Sequence, residues 1–401
     1  MTAIPSIFDV IVVGGGPGGS NAATVALRRG LSVAQVDRCK FPRVKPCGGG
    51  FTIKSSVALQ HDLSPVLRGE HSDVEVNLWQ RKARRFSAAP SPLLRMVLRP
   101  QFDSWLVTRN LESSRFHFFE DERVLDISYD RQFRVRTTKQ TLLGQHLVGA
   151  DGAYSLVNRQ FAIARPKGFA VAVEVTLRRD QAALPAELPP CFDLGAIDAG
   201  YGWVFPKDDH WNVGLYSLRK SRTLREQLVS YIRAKGFQTK SDPLETFEAH
   251  RFPYGGYKLS LPEAPVYLVG DAGGFGDGLT GEGIYHALES GRIAGETIHD
   301  CLAGSTGHQA YYRRLKRSVL ADTFVTYHVA RAFYRNVDRA MALLENSFIS
   351  RPLLRGYATG ITLAQSIKRV GWFSTKLVLT GSRSRFRSRK SEPEDVLRSV
   401  P

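Results

Sequence analysis

Phe8-Asp9-Val10-Ile11-Val12-Val13-Gly14-Gly15-Gly16-Pro17-Gly18-Gly19 is the stretch that decides the fold. Its β-branched run is short and follows an acid, Asp9, which suits a buried parallel strand and neither a leader peptide nor a membrane span. Gly14, Gly16 and Gly19 fill the G-x-G-x-x-G positions, with Pro17 and Gly18 between the last two. The first glycine permits a tight turn, the second lets a phosphate approach the backbone, and the third lets helix pack closely on strand. Residues 20–29 then have helical texture with small residues for the sheet side, so the positive end of that helix faces a pyrophosphate. Gly30 closes the helix and residues 31–36 return as a second strand. Asp37 ends it, about twenty residues past the turn, where a carboxylate accepts hydrogen bonds from ribose hydroxyls. Strand, glycine turn, helix, strand and terminal acid predict a Rossmann-type dinucleotide-binding unit. They do not choose between FAD and NAD.

Two distant stretches make that choice. His146-Leu147-Val148-Gly149-Ala150-Asp151-Gly152 is a strand running into an Asp-Gly turn, and Val266-Tyr267-Leu268-Val269-Gly270-Asp271 is another strand ending in Gly-Asp. The latter leads through Thr280-Gly281-Glu282-Gly283-Ile284 into a second helix. A second helix start suits a flavin, because exposed N–H groups stabilise negative charge on the reduced ring. Asp271 is placed to bind ribityl hydroxyls. Asp151 has a plainer role open to it as a turn former. FAD is therefore the expected cofactor.

At 401 residues the chain exceeds one compact core, and 43% apolar residues exclude wholesale disorder. The four cysteines, Cys39, Cys47, Cys191 and Cys301, form no CxxC pair, so neither a disulfide framework nor a metal site is expected. The location expected by default is cytoplasmic, at most peripheral at the inner face of the membrane. The net charge of +17 includes a cluster at Arg383-Ser384-Arg385-Phe386-Arg387-Ser388-Arg389-Lys390, which suggests contact with an anionic membrane surface. Nucleic-acid binding rests on charge alone and ranks last.

Lys45-Pro46-Cys47-Gly48-Gly49-Gly50 and Tyr201-Gly202-Trp203-Val204-Phe205-Pro206-Lys207, with Gly270-Asp271 and Leu279-Thr280-Gly281-Glu282-Gly283-Ile284, narrow the class. Over most of residues 8–300 the chain resembles flavoproteins of the aromatic-hydroxylase structural class, and in this combination the motifs resemble the geranylgeranyl reductase family. One departure is Gly278, where that family commonly has proline before Leu-Thr-Gly-Glu-Gly. The resemblance implies FAD contacts at Lys45, Gly48, Arg99, Val124, Asp151, Asp271, Gly281, Gly283 and Ile284, besides the first turn and Asp37. For Arg99 and Asp151 the alternatives are an ordinary surface cation and a simple turn residue. It also implies reduction of isoprenoid double bonds in prenyl diphosphates, lipid ethers, chlorophyll side chains or quinone tails.

An isolated trisubstituted alkene accepts hydride only if a proton reaches it as well, and water must be kept from the developing cation. Tyr201, Trp203 and Phe205 alternate along one strand and share a face; apolar rings whose faces tolerate positive charge suit such a wall. An ordinary sheet core is the competing explanation, above all for Phe205. Cys47, in a glycine-rich loop, is the catalytic candidate, as a thiol that positions substrate or relays a proton; a buried structural cysteine is the alternative. Lys45 and Lys207 are candidates for a phosphate or for solvated surface, Lys45 assigned to the cofactor and Lys207 to the substrate.

The expected architecture is α/β, with a β-sheet substrate domain and a C-terminal helical region. The FAD-binding domain is expected over residues 1–72, 97–165 and 263–305, the substrate domain over 73–96 and 166–262, and the helical region with its basic tail over 306–401. Strands are predicted at 170–177 and 211–216 and a helix at 224–235. Tyr311, Tyr312, Phe324, Tyr327, Phe333, Tyr334 and Trp372 mix with cations in the last region, which suits either lipid contact or a helical cap on the FAD domain. No second G-x-G-x-x-G follows a strand, so electrons are expected from transient NAD(P)H or a ferredoxin- or flavodoxin-type carrier. The rival functions are an FAD monooxygenase or halogenase and, in another class, a non-catalytic prenyl-lipid carrier.

Overall fold

The computed structural model describes residues 5–369 apart from 182, 183, 185, 186, 239–241 and 243. Strand Phe8–Val13 lies in parallel between Val33–Val36 and Thr141–Gly149, as its continuous apolar character requires. Val33–Val36 pairs in turn with Phe116–Phe119. Besides Phe8–Val13, the long strand Thr141–Gly149 has two further partners: its first half pairs antiparallel with Gln132–Thr137, and its end pairs in parallel with Val266–Leu268. Val124–Asp130 completes this seven-stranded sheet.

Helix Pro17–Arg28 begins three residues earlier than its small-residue pattern predicts, because Pro17 has the φ of a first-turn residue and needs no N–H partner there. It packs on helix Ile284–Leu302 with almost no space between them: a Cβ on Gly291 would stand 2.2 Å from the Gly18 carbonyl oxygen. The two helices that open at the two glycine turns are thus one layer. The second strand starts at Val33 rather than residue 31, since Gly30 turns the chain at a φ of +80°.

A second seven-stranded sheet runs in the order Glu248–Tyr254, Gly168–Arg178, His210–Ser217, Gly200–Pro206, Cys191–Leu194, Asp73–Leu78, Lys82–Ser87. All its pairs are antiparallel except Cys191–Leu194 with Asp73–Leu78. Helix Leu224–Ala234 covers one face through Leu228, Tyr231 and Ile232, against Val173, Val175, Val204 and Val213. The other face carries Tyr201, Trp203, Phe205, Tyr216 and Phe252. A small sheet of Gly50–Thr52, Leu94–Val97 and Leu67–His71 stands apart from both. Residues 73–96 therefore divide, with two strands in the second sheet and the start of Leu94–Val97 in the third.

Helices Ala310–Arg317, Val319–Phe333, Val337–Glu345 and Ser347–Ala358 follow. Tyr311 and Tyr312 are fully buried, their hydroxyls donating to the carbonyls of Leu268 (2.5 Å) and Val266 (2.8 Å), so the first of these helices is a cap on the first sheet. Phe324 is 48% exposed, whereas Phe333 and Tyr334 pack toward the aromatic face of the second sheet. Among the described residues no helix is long and apolar enough to cross a membrane. Trp372 and the basic run at 383–390 lie outside the described residues.

Candidate active site

One cavity of about 1150 Å³ opens between the first sheet, the second sheet and the C-terminal helices. It exceeds the roughly 300–1,000 Å³ of ordinary small-molecule sites. Gly14, Gly16, Pro17, Gly18, Gly19, Asp37, Val124 and Asp151 line one end. Gly14 has a φ of +112°, and a Cβ there would meet the Ala150 carbonyl oxygen at 2.2 Å; one on Gly19 would meet the Gly14 oxygen at 2.2 Å. Gly16 differs, for its nearest neighbour would be Arg43 Nη2 at 3.5 Å, so its open side faces the cavity. Among the described residues no side chain caps the helix that starts there. Open N–H groups at a helix start are what a pyrophosphate needs. Asp37 accepts from Gly15 N (2.7 Å) and Cys39 N (2.8 Å), which fixes its carboxylate at the cavity edge. These features fit FAD.

The second glycine turn is held by three tyrosines from separate elements. Tyr216 donates to the Gly278 carbonyl (2.9 Å), Tyr334 to that of Leu279 (2.5 Å), and Tyr201 to that of Thr280. Gly278 sits against the Tyr254 ring, which a Cβ would meet at 3.0 Å, so the residue that departs from the family pattern leaves room for that ring. Behind the turn, Glu282 bonds Thr52 (2.5 Å) and pairs with buried Lys54 (2.8 Å), which in turn lies 3.8 Å from Asp322. Despite its burial, Lys54 is kept charged by Glu282 and Asp322. Gly281, with a φ of +72°, Gly283 and Ile284 all line the cavity at the start of the second helix.

The Pro46–Gly50 loop crosses between the two ends of the cavity. Glu174 accepts from Cys47 N (2.8 Å), and Lys207 Nζ donates to Gly48 O (2.8 Å) and Val97 O (3.4 Å). Gly49, at a φ of +68°, leaves no room for a Cβ, which would stand 2.1 Å from Val97 O. The Cys47 sulfur accepts from Gly49 N (3.4 Å) and from the Arg99 side chain. Arg99 is buried in a bidentate pair with Asp103 (2.9 and 2.8 Å) and is no surface cation.

Beyond the loop the walls are apolar. Phe192, Leu194, Tyr201, Trp203, Phe205 and Phe252 come from the second sheet, while Phe333, Tyr334, Leu353 and Leu354 come from the C-terminal segments. Trp203 stands over Gly214, where a Cβ would clash with its ring at 2.2 Å, and its Nε1 donates to Asn212 (2.7 Å).

Charged groups at the junction are perturbed. Burial, aided by Arg99 and Arg43, pushes Lys45 down to about 8 against the pull of Asp271 and Cys47. Its Nζ lies 2.6 Å from His250 Nε2, which is 3.6 Å from Asp271. Despite burial, His250 and Lys45 hold the Asp271 carboxyl below its ordinary range. Burial also lowers Lys207 to about 8 and raises Glu174 to about 7.

The structure brings most of the residues singled out in the sequence to one cavity. Lys207 lies behind the loop it fastens, outside the cavity lining. Asp151 lines the cavity, yet its carboxylate accepts from Ser155 Oγ (2.5 Å), Leu156 N (2.6 Å) and Val157 N (3.2 Å) and so holds the next helix start. Sequence reasoning missed Glu174, His250, Tyr216 and Tyr334. Glu174 did leave a signal: it is the one acid in Ala170-Val171-Ala172-Val173-Glu174-Val175, a run otherwise made for burial. The other three are recognisable only through their partners.

The sequence pattern of the FAD dependent oxidoreductases matches residues 9–132. A menaquinone reductase of Mycobacterium tuberculosis is 30% identical over 84% of this chain and 83% of its own. A geranylgeranyl diphosphate reductase of Synechocystis is 28% identical over 84% and 88%. A solved structure from Thermoplasma acidophilum, described as geranylgeranyl bacteriochlorophyll reductase-like, has the same fold, with a TM-score of 0.75 and 20% identity over 94% of this chain and 98% of its own.

Proposed function

This chain belongs to the geranylgeranyl reductase family of FAD-dependent oxidoreductases, and from that footing we propose that it saturates isolated double bonds in a prenyl chain carried by a lipid, quinone or diphosphate. The observation that carries this reading is the continuity of the cavity, whose glycine-lined dinucleotide end opens into a deep aromatic end across the Cys47 loop. A long hydrocarbon without polar handles is the ligand such walls favour, since burial of apolar surface is the main attraction they offer.

Gly14, Gly16, Asp37 and Asp271 would hold FAD, which when bound and reduced would supply hydride. The chain's own residues do the rest. Trp203 and Phe205 exclude water from the alkene, and their ring faces favour the positive charge that develops on its more substituted carbon. Tyr201 contributes its ring to this wall while its hydroxyl donates to the Thr280 carbonyl, so one side chain joins substrate wall and cofactor turn. Arg99, Lys45 and Lys207 keep the Cys47 loop in a positive field. Electrons come from NAD(P)H or a small carrier protein.

Reduced enzyme mixed anaerobically with a prenylated lipid or diphosphate should reoxidise and release a product heavier by two hydrogens, as read by mass spectrometry. Failure with every prenyl substrate, together with oxygen-dependent hydroxylation of an aromatic compound, would overturn the proposal.

A further inference from the structure

We propose that Glu174 is the acid that protonates the alkene and that Glu248 resupplies its proton from solvent. This rests on the function proposed above. The register of the second sheet sets the geometry, for Glu248, Glu174, Gly214, Trp203 and Phe192 are successive cross-strand partners in one row. Glu174 is buried and lines the cavity, whereas Glu248 lies on the edge strand Glu248–Tyr254 and is part-exposed outside the cavity lining. The row thus runs from solvent to the aromatic wall. Gly214 has no side chain, and the Trp203 ring occupies that space, so the ring is carried across toward the strand that bears Glu174.

The groups facing Glu174 are Cys47 N, which donates to it, Asn212, Glu248 and Lys207. Burial raises its carboxyl to about 7, and the Glu248 charge adds to that, while the two hydrogen bonds and Lys207 oppose it. Like charges directly opposite across a strand pair repel, so a proton on one of the two acids relieves the pair. An acid with a pKa close to the working pH is what proton delivery asks for. Cys47 remains the group that joins loop to acid, through its backbone N–H.

The step balances. The proton of neutral Glu174 bonds to the less substituted alkene carbon, the neighbouring carbon takes hydride from the reduced flavin cofactor, and the π bond is lost. Glu174 is left as carboxylate and recovers a proton through Glu248.

Two measurements test this, one of them independent of turnover. In infrared difference spectra of the FAD-loaded enzyme across a pH titration, wild type should lose a protonated-carboxyl band with a midpoint of about 7, and Glu174→Gln should lack that band. In anaerobic single turnover, Glu174→Gln should bind FAD and accept electrons from dithionite normally. Its reoxidation by a prenyl substrate should be about 100-fold slower or worse, with partial rescue in Glu174→Asp. Glu248→Gln should slow the turnovers after the first more than it slows the first. An unchanged carboxyl band or an unchanged reoxidation rate in Glu174→Gln, beside an active wild type, overturns the proposal. A wild type that no prenyl substrate reoxidises overturns the function it rests on and the proposal with it.

Discussion

At the dinucleotide end of the cavity the work is done by backbone, and at the aromatic end by side chains that arrive from both the second sheet and the C-terminal helices. The first end comes mainly from one unbroken stretch, residues 8–37, in which a Cβ added at Gly14 or Gly19 would stand 2.2 Å from a carbonyl oxygen. The second needs Trp203 to lean over Gly214, Tyr334 to reach Leu279, and one antiparallel register to set Glu174 opposite Glu248. Backbone geometry is sensitive to a single added carbon; an assembled wall should be tolerant in places and exacting at its junctions.

That contrast can be broken most sharply at the dinucleotide end. Gly14→Val puts a branched side chain where φ is +112° and a carbonyl oxygen stands 2.2 Å from the Cβ position. It should weaken FAD retention by at least about tenfold, the equivalent of roughly 1.4 kcal/mol, in flavin-to-protein ratio and fluorescence titration. Retention equal to wild type would mean that the turn does not hold the dinucleotide. At the aromatic end, Trp203→Ala should keep full FAD content and slow substrate-dependent reoxidation by roughly 100-fold in stopped flow, since a displaced substrate loses reactive geometry. Flavin loss in that variant would erase the distinction between the two ends.

The junction sharpens the comparison. Lys207→Met removes the donor to Gly48 O and Val97 O and leaves both carbonyls facing an apolar chain. A loss of about 1–3 kcal/mol is expected by thermal or denaturant unfolding. The pH dependence has a definite sign. With its folded value lowered to about 8 by burial, Lys207 binds fewer protons in the folded than in the unfolded chain between about 8 and 10.5, so its contribution to stability rises with pH across that window. The stability gap between wild type and Lys207→Met should therefore widen as pH rises through it, and a gap that narrows would contradict the assignment. The smallest effect belongs to Phe348, 87% exposed and outside the cavity: Phe348→Ser should change stability by less than about 0.5 kcal/mol and leave reoxidation unchanged.

How much was legible in the sequence follows the same division. Residues 8–37 announce their fold because the turn, the helix start and the terminal acid are neighbours along the chain. The stretch 201–207 announces a shared aromatic face because alternation is local. The roles of its two ends were not legible, since Tyr201 uses its hydroxyl on a carbonyl 79 residues away and Lys207 uses its amine on a loop 159 residues back. Arg99 is an ion-paired buried cation for a reason visible four residues later, at Asp103, but its contact with Cys47 is tertiary. Glu174 was visible as an acid out of place; that it faces Glu248 depends on strand register, which no local pattern encodes.

The most direct test of the central claim, that both ends form one redox site, is a stoichiometric single turnover under argon. Photoreduced enzyme is mixed with a prenyl substrate, flavin absorbance is followed, and the quenched lipid is analysed by mass spectrometry. The account predicts one double bond lost for each flavin reoxidised. Flavin that stays reduced until oxygen is admitted, with the prenyl chain recovered unchanged, would contradict it.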